Sequence, residues 1–301
     1  DKLFLSKKIF FKEKKEKKAY LRNKILINKL SKTIRRKIEI YDHHLSHAAS
    51  AAYFSGWKNC LVFTVDGYGD SSSSKLFNFS NNRLKEIKSS SILNSLGYFY
   101  GSITKYLGFQ PHRHEGKVLG LAAYEKNPKS YKIIDNMVSF DKEKLSFLGL
   151  VEKGIYLPKY DNDNLNALMD NFSKEDIAAS AQKILEKTVC GLISEIKNVT
   201  EFSKFNLCVA GGLFANVKLN QKISELDEID DLYVFPNMGD GGLSVGAAWL
   251  AFIKHKKTRP IPMKDMRVGT NISNVKEILN KYSKHNFKIN KYNNINKKIA
   301  F

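Results

Sequence analysis

The chain has 301 residues, 43% of them hydrophobic, enough to build an ordinary globular core in one large domain or two medium ones. Its formal charge of +20 suggests a nucleic-acid binder until it is divided along the chain: residues 1–37 carry 15 Lys/Arg against 3 Asp/Glu, residues 254–301 carry 13 against 2, and residues 38–253 carry 22 against 25. The excess sits on the two ends, and a nearly neutral middle argues for small ligands over specific nucleic-acid binding. No run reaches the ~18 consecutive apolar residues of a membrane span. Cys60, Cys190 and Cys208 have no paired spacing, which argues against a disulfide framework or a thiolate zinc site and suits a reducing cytoplasm. The sequence opens Asp1-Lys2-Leu3, without an initiator Met or a signal-peptide pattern, and reads as a piece of a longer chain.

In chain order, Lys7–Lys18 and Tyr20–Arg36 read as basic helical segments with no legible chemistry. Asp42–Tyr53 then places three of the seven histidines in five positions, at the start of a small-residue helix. His43 and His47 are four apart, so they project from one face of that helix and can supply two imidazoles to a divalent metal. An open site needs further ligands, and Asp66 and Asp240 are the carboxylates best placed to provide them. Cys60–Gly67 is an apolar run ending in Asp66, a buried strand that delivers a carboxylate at its carboxyl end, where open α/β sheets place their chemistry. Gly67–Asp70 reads as a turn, Ser71–Phe79 as a second strand and Arg83–Ser91 as a third.

A helix is expected from Asn94 or Ser95 to Gly108. His112, Arg113, His114, Glu115 and Lys117 then crowd charge before the apolar Val118–Ala123, so Lys117 could add a point charge at an anion-binding helix start. Residues 125–172 read as an insertion or cap without chemistry. Ser173 caps a long scaffold helix, Lys174–Lys197, in which Ile177, Ala181, Ile184, Leu185, Val189, Leu192, Ile193 and Ile196 keep helical spacing. Next, the strand Phe205–Ala210 runs into Gly211-Gly212 and a helix carrying Asn216. The strand Asp231–Pro236 leads to Gly239-Asp240-Gly241-Gly242 and another helix. Paired glycines at strand-to-helix junctions expose helix amides and let a nucleotide approach the backbone.

At this point the motifs carry a resemblance. His43-His-Leu-Ser-His-Ala-Ala-Ser-Ala, Val65-Asp-Gly, Ser95-Leu-Gly-Tyr-Phe-Tyr, Glu115-Gly-Lys-Val-Leu-Gly-Leu-Ala, Ala210-Gly-Gly-Leu-Phe-Ala-Asn and Gly239-Asp-Gly-Gly-Leu-Ser occur in the order found in the O-carbamoyltransferases of antibiotic and nodulation-factor biosynthesis. The resemblance implies an α/β, actin-like, sugar-kinase-type (ribonuclease-H-like) mixed sheet with helices on both faces and an incomplete first lobe. Residues 1–37 would be a basic flank from that lobe, 38–255 the nucleotide- and metal-binding domain, and 256–301 a basic linker toward a missing adenylate-forming domain. It implies that carbamoyl phosphate and ATP give carbamoyl adenylate, whose carbamoyl group passes to an acceptor hydroxyl. It implies iron, with manganese or magnesium as alternatives, on His43, His47, Asp66 and Asp240, and a nucleotide near Gly211, Gly212 and Asn216; the glycine turns and the charged helix start add Gly67, Lys117, Gly239 and Gly241 as expected nucleotide contacts. His44 receives no role from it, and no catalytic residue is named. Nothing before Asp42 resembles the His-Asp-Ser-type loop with which the family begins. The competing expectations are a tRNA threonylcarbamoyl transferase-like protein and a non-catalytic nucleotide-binding remnant.

Overall fold

A computed structural model describes residues 39–149, 169–198, 202–256 and 262–263, with isolated positions elsewhere. The helical segments expected over 1–37, the middle of the 125–172 stretch and most of 256–301 lie outside the described residues. The chain divides into two compact units, Asp1–Met263 and Lys264–Phe301, and the first carries the architecture that follows.

Its elements are α1 (His43–Ser55), β1 (Cys60–Gly69), β2 (Ser72–Ser80), β3 (Arg83–Ser91), α2 (Leu96–Tyr106), α3 (Glu115–Ala122), α4 (Tyr131–Asp135), β4 (Ser139–Asp141), β5 (Ser146–Leu148), α5 (Lys174–Glu195), β6 (Phe205–Ala210), α6 (Val217–Ser224), β7 (Ile229–Val234) and α7 (Leu243–Lys256). The main sheet has the order β3-β2-β1-β6-β7, antiparallel across β1–β3 and parallel from β1 through β7. It is therefore mixed, with the long apolar strand β1 at its centre.

Both hairpins close on two residues with positive φ, Asp70 and Ser71 at 47° and 75° and Asn81 and Asn82 at 51° and 57°. That is the geometry two-residue hairpins require, and Asp and Asn adopt it at modest cost. The first turn thus falls later than the expected Gly67–Asp70, because Gly69 still pairs with Ser72. Between Val65 and Gly69 the register breaks, so Asp66, Gly67 and Tyr68 leave the ladder with β2. Such a bulge re-aims side chains at a sheet's end.

Side chains alternate across the strands and build two cores. Leu61, Phe63, Val65, Leu207 and Val209 face α2, α5 and α6; Cys60, Val62, Cys208 and Ala210 face α1 and α7. Helices therefore cover both faces, as expected. The Sγ atoms of Cys60 and Cys208 lie 3.6 Å apart as free thiols on neighbouring strands, a proximity that their distance in sequence conceals. Ile134, Met137, Val138, Leu145 and Phe147, from the stretch read as an insertion, are buried in the same core as α5. The apolar stripe of α5 is buried as its spacing predicts, with Ser173 accepting from the Asp176 N–H; the helix gives way at Ile196 to a 3-10 turn reaching Asn198. Among the described residues no helix is long and apolar enough to cross a membrane.

Candidate metal and nucleotide site

Three segments converge at the carboxyl end of β1. Asp42 starts α1 by accepting from the Leu45 N–H at 2.8 Å, and Asp70 accepts from the His43 N–H at 2.9 Å, which fixes the helix start against the first hairpin. Gly69 makes the fit possible: a Cβ there would lie 2.2 Å from Cδ2 of His43. Helix α7 approaches α1 equally closely, since a Cβ on Gly246 would lie 1.8 Å from the Ser46 carbonyl oxygen. That contact brings Asp240, in the 3-10 turn leading into α7, to the histidines.

The ligand atoms of His43, His47, Asp66 and Asp240 all lie within 4.8 Å of one another. Nε2 of His43 and Nε2 of His47 each sit 3.1 Å from Oδ2 of Asp66, and they are 3.6 and 3.5 Å from Oδ1 of Asp240. His47 is fully buried, and its Nδ1 has no hydrogen-bond partner among the described residues, so Nε2 is the ring's polar contact. Asp240 is the solvent-facing member, its side chain 72% exposed.

The neighbouring histidine is of a different kind. Nδ1 of His44 pairs with the Thr64 hydroxyl at 2.9 Å and Nε2 with the Ser72 carbonyl at 3.1 Å, the ring being fully buried. Burial drives its pKa down to about 4 against the opposing pull of the Ser72 carbonyl, so it stays neutral and ties α1 to the sheet.

The electrostatics of the four-residue cluster suit a cation. Burial works against the Asp66 charge, but bonds from His43, His47 and its neighbour Gly67 N–H hold the carboxyl well below the usual carboxylate range. Burial, and then the Asp66 charge, push Asp240 up. His43 is pushed down by burial and up by its bond to Asp66 and the charges of Asp66, Asp240 and Asp70, with a net rise. Two carboxylates crowded between two imidazole nitrogens form a donor set that fits a divalent metal.

Asp66 and Asp240 also line a cleft of about 460 Å³, a size that accommodates a small-molecule ligand. Gly67, Gly212 and Asn216 line it, as do Gly97, Tyr100, Arg113, Glu115 and Leu185. A Cβ on Gly67 or Gly116 would meet only open space, and one on Gly212 would lie 3.1 Å from Oδ1 of Asp66, so bare backbone faces the cleft. Other expected contacts fall elsewhere. Lys117 is exposed with its Nζ 5.6 Å from the centre of the Phe109 ring, and the cation at the cleft is Arg113 instead. Gly211, Gly239 and Gly241 do not line the cleft. Gly211, at φ 107°, is where a Cβ would lie 2.2 Å from the Val65 carbonyl oxygen, and one on Gly241 would press on the Asn237 side chain.

An actin-like α/β domain with two histidines and two aspartates gathered at the mouth of a cleft is the class of protein that this fold and site define. The chain belongs to the carbamoyltransferase N-terminus family, which it matches over residues 2–249. It is 35% identical over 252 residues to an uncharacterised protein of Methanocaldococcus jannaschii, covering 78% of this chain and 40% of that protein. It is 31% identical over 247 residues to the nodulation protein NolO of Bradyrhizobium diazoefficiens, covering 77% of this chain and 42% of NolO. The chain thus spans about two fifths of the length of these relatives. The crystal structure of T. kodakarensis HypF superposes with a TM-score of 0.50 at 13% identity, over 78% of this chain and 39% of that one, a likeness of fold. The family match begins at residue 2, so the basic stretch before Asp42 belongs to the aligned region.

Proposed function

We propose that this chain is the metal- and nucleotide-binding portion of an O-carbamoyltransferase. In that reaction the carbamoyl group of carbamoyl adenylate, made from carbamoyl phosphate and ATP, passes to the hydroxyl of a small acceptor in a reducing cytoplasm. One observation carries the reading: Asp66 and Asp240, far apart in sequence, face Nε2 of His43 and His47 while lining the same cleft.

His43, His47, Asp66 and Asp240 would hold an iron-type divalent ion, which when bound supplies Lewis-acid polarisation to a phosphate or carbonyl oxygen. The protein's own groups do the rest. Asp66 stays ionised and faces Nε2 of both imidazoles at 3.1 Å, so that the three side chains converge on the place an ion would take. Gly67 and Gly212 leave room for a ligand against the backbone, and Arg113 supplies positive charge on the cleft wall. The near-neutral balance of residues 38–253 favours a small acceptor over tRNA.

The test is titration of the chain with ADP, with and without Mn(II), beside His47→Ala. ADP should bind the wild-type chain and bind tighter with Mn(II), and the metal dependence should vanish in His47→Ala. Metal-independent affinity in both proteins would refute the cluster's role. Gly212→Val should block ADP through bulk in the cleft while leaving the circular dichroism spectrum unchanged.

A further inference from the structure

Helix α5, which its sequence marks as scaffold, sends one polar side chain, Gln182, to Asn216, a residue that lines the cleft. Asn216 caps α6, and its amide is oriented by that cap: Oδ1 accepts from the Leu219 N–H at 3.0 Å, so the other atom is Nδ2. The assignment propagates outward. Nδ2 donates to Oε1 of Gln182 at 2.8 Å, and Nε2 of Gln182 donates back to Oδ1 of Asn216 at 3.2 Å, closing a two-bond amide pair. Nε2 of Gln182 also donates to Oε1 of Glu186 at 2.7 Å, and the Tyr100 hydroxyl donates to Oε1 of Gln182 at 2.9 Å. Gln182 and Tyr100 are 5% and 4% exposed, so water does not compete for these bonds.

Counting donors and acceptors then decides what the cleft offers. Gln182 has committed both N–H groups and both lone pairs, and Oδ1 of Asn216 has committed both of its own. One N–H of Asn216 Nδ2 remains, on a residue that lines the cleft. We infer that Gln182 is a positioning residue, which fixes Asn216 so that the site offers an amide donor and no amide acceptor, and thereby selects the nucleoside end of the ligand. A ligand must bring an acceptor atom there, such as a purine ring nitrogen or a ribose oxygen. The inference rests on the nucleotide reading above and adds its specificity.

The experiment compares ADP with inorganic tripolyphosphate, which lacks the nucleoside, by titration calorimetry on the full chain. Gln182→Glu replaces the donating nitrogen with an oxygen facing Oδ1 of Asn216 and the Glu186 carboxylate, so the pair cannot form. ADP affinity should fall about tenfold, the value of one to two hydrogen bonds, while tripolyphosphate affinity stays unchanged. Asn216→Ser, which keeps a helix-capping oxygen and removes the amide, should give the same selective loss and decides the matter where Gln182→Glu does not fold. Unchanged ADP binding in a folded variant, or equal losses for ADP and tripolyphosphate, would overturn the positioning role. A wild-type chain that binds no ADP would instead overturn the nucleotide reading, and this inference with it.

Discussion

On one face of the sheet, Phe63, Phe99, Phe147 and Phe214 pack with the Ile and Leu stripe of α5; on the other, Ala48, Ala49, Ala51 and Ala52 of α1 lie on Cys60, Cys208 and Ala210 beneath α7. The first face buries large side chains, each removing far more apolar area from water than an alanine does, and it supplies most of the hydrophobic stabilisation. The second buries Tyr53, Phe77, Phe79 and Phe235 as well, but where α1 meets α7 it gives up area for closeness. Small residues let two helices and a strand end come within backbone contact, and that contact places two histidines and two carboxylates on one point. Stability and the His43, His47, Asp66 and Asp240 cluster thus rest largely on different faces, and substitutions should separate them.

Gly246→Val attacks the close-packed face. Its Cβ would start 1.8 Å from the Ser46 carbonyl oxygen, which as backbone cannot swing aside, so α7 must lift. Stability should fall by about 3 kcal/mol, and Mn(II) affinity should collapse in the protein that still folds, because Asp240 sits at the entry to α7. Leu192→Ala, on the large-residue face, should cost about 2–5 kcal/mol with Mn(II) affinity of the folded protein intact. Urea denaturation and Mn(II) titration on both variants make the comparison, and parallel loss of metal affinity would end it.

Acid probes the close-packed face through His44. Unfolded, this histidine takes up a proton as pH drops below about 6.5, whereas the folded ring waits until about 4. The unfolded state therefore binds more protons across that window, and stability declines from neutral pH down to about 4 and levels below it. The loss should approach ~3 kcal/mol from this group, read as the pH slope of the urea midpoint that disappears in His44→Asn.

Much of this was legible in the sequence, for identifiable reasons. The apolar runs of β1 and β6 and the stripe of α5 are periodic signals of burial, and burial is what periodicity reports. The four residues that converge stood out because two of them are one helical turn apart and the other two adjoin glycine at a strand or helix end. Partner-specific chemistry was not. Gln182 reads as one polar residue on a buried helix, and nothing local tells that Asn216 meets it. Lys117 drew attention by charge at a helix start, yet on α3 the residues lining the cleft are Glu115, Gly116 and Leu119, and a residue at 117 points about 100° or more away from them. The glycines at 211 and 241 answer to close backbone and side-chain packing, which sequence cannot separate from ligand approach.

Protons compete with metal at His43, whose pKa lies above its ordinary value because the Asp66 bond and the Asp66, Asp240 and Asp70 charges outweigh burial. A metal must displace that proton, so Mn(II) affinity should rise with pH through the ordinary histidine value of about 6.5 and level only above it, once His43 is neutral. Asp70→Asn removes one of the charges that raise it and should shift the inflection to lower pH. A profile flat through neutral pH would show that His43 is not a ligand.

The smallest expected effect separates two cations that lie near each other in sequence. Arg113 lines the cleft, whereas Lys117 is exposed beside the Phe109 ring. An exposed guanidinium acting on an anionic ligand contributes about 1 kcal/mol, roughly fivefold in affinity, and added salt should erase it because screening reaches exposed charges first. Arg113→Ala should therefore weaken ADP binding about fivefold at low ionic strength, with the difference closing as salt is raised. Lys117→Ala should leave ADP affinity unchanged at every salt concentration, since its removal changes charge on a face turned away from the ligand. The reverse ranking would place the phosphates against the outer face of α3 and move the ligand out of the cleft that Asp66 and Asp240 line.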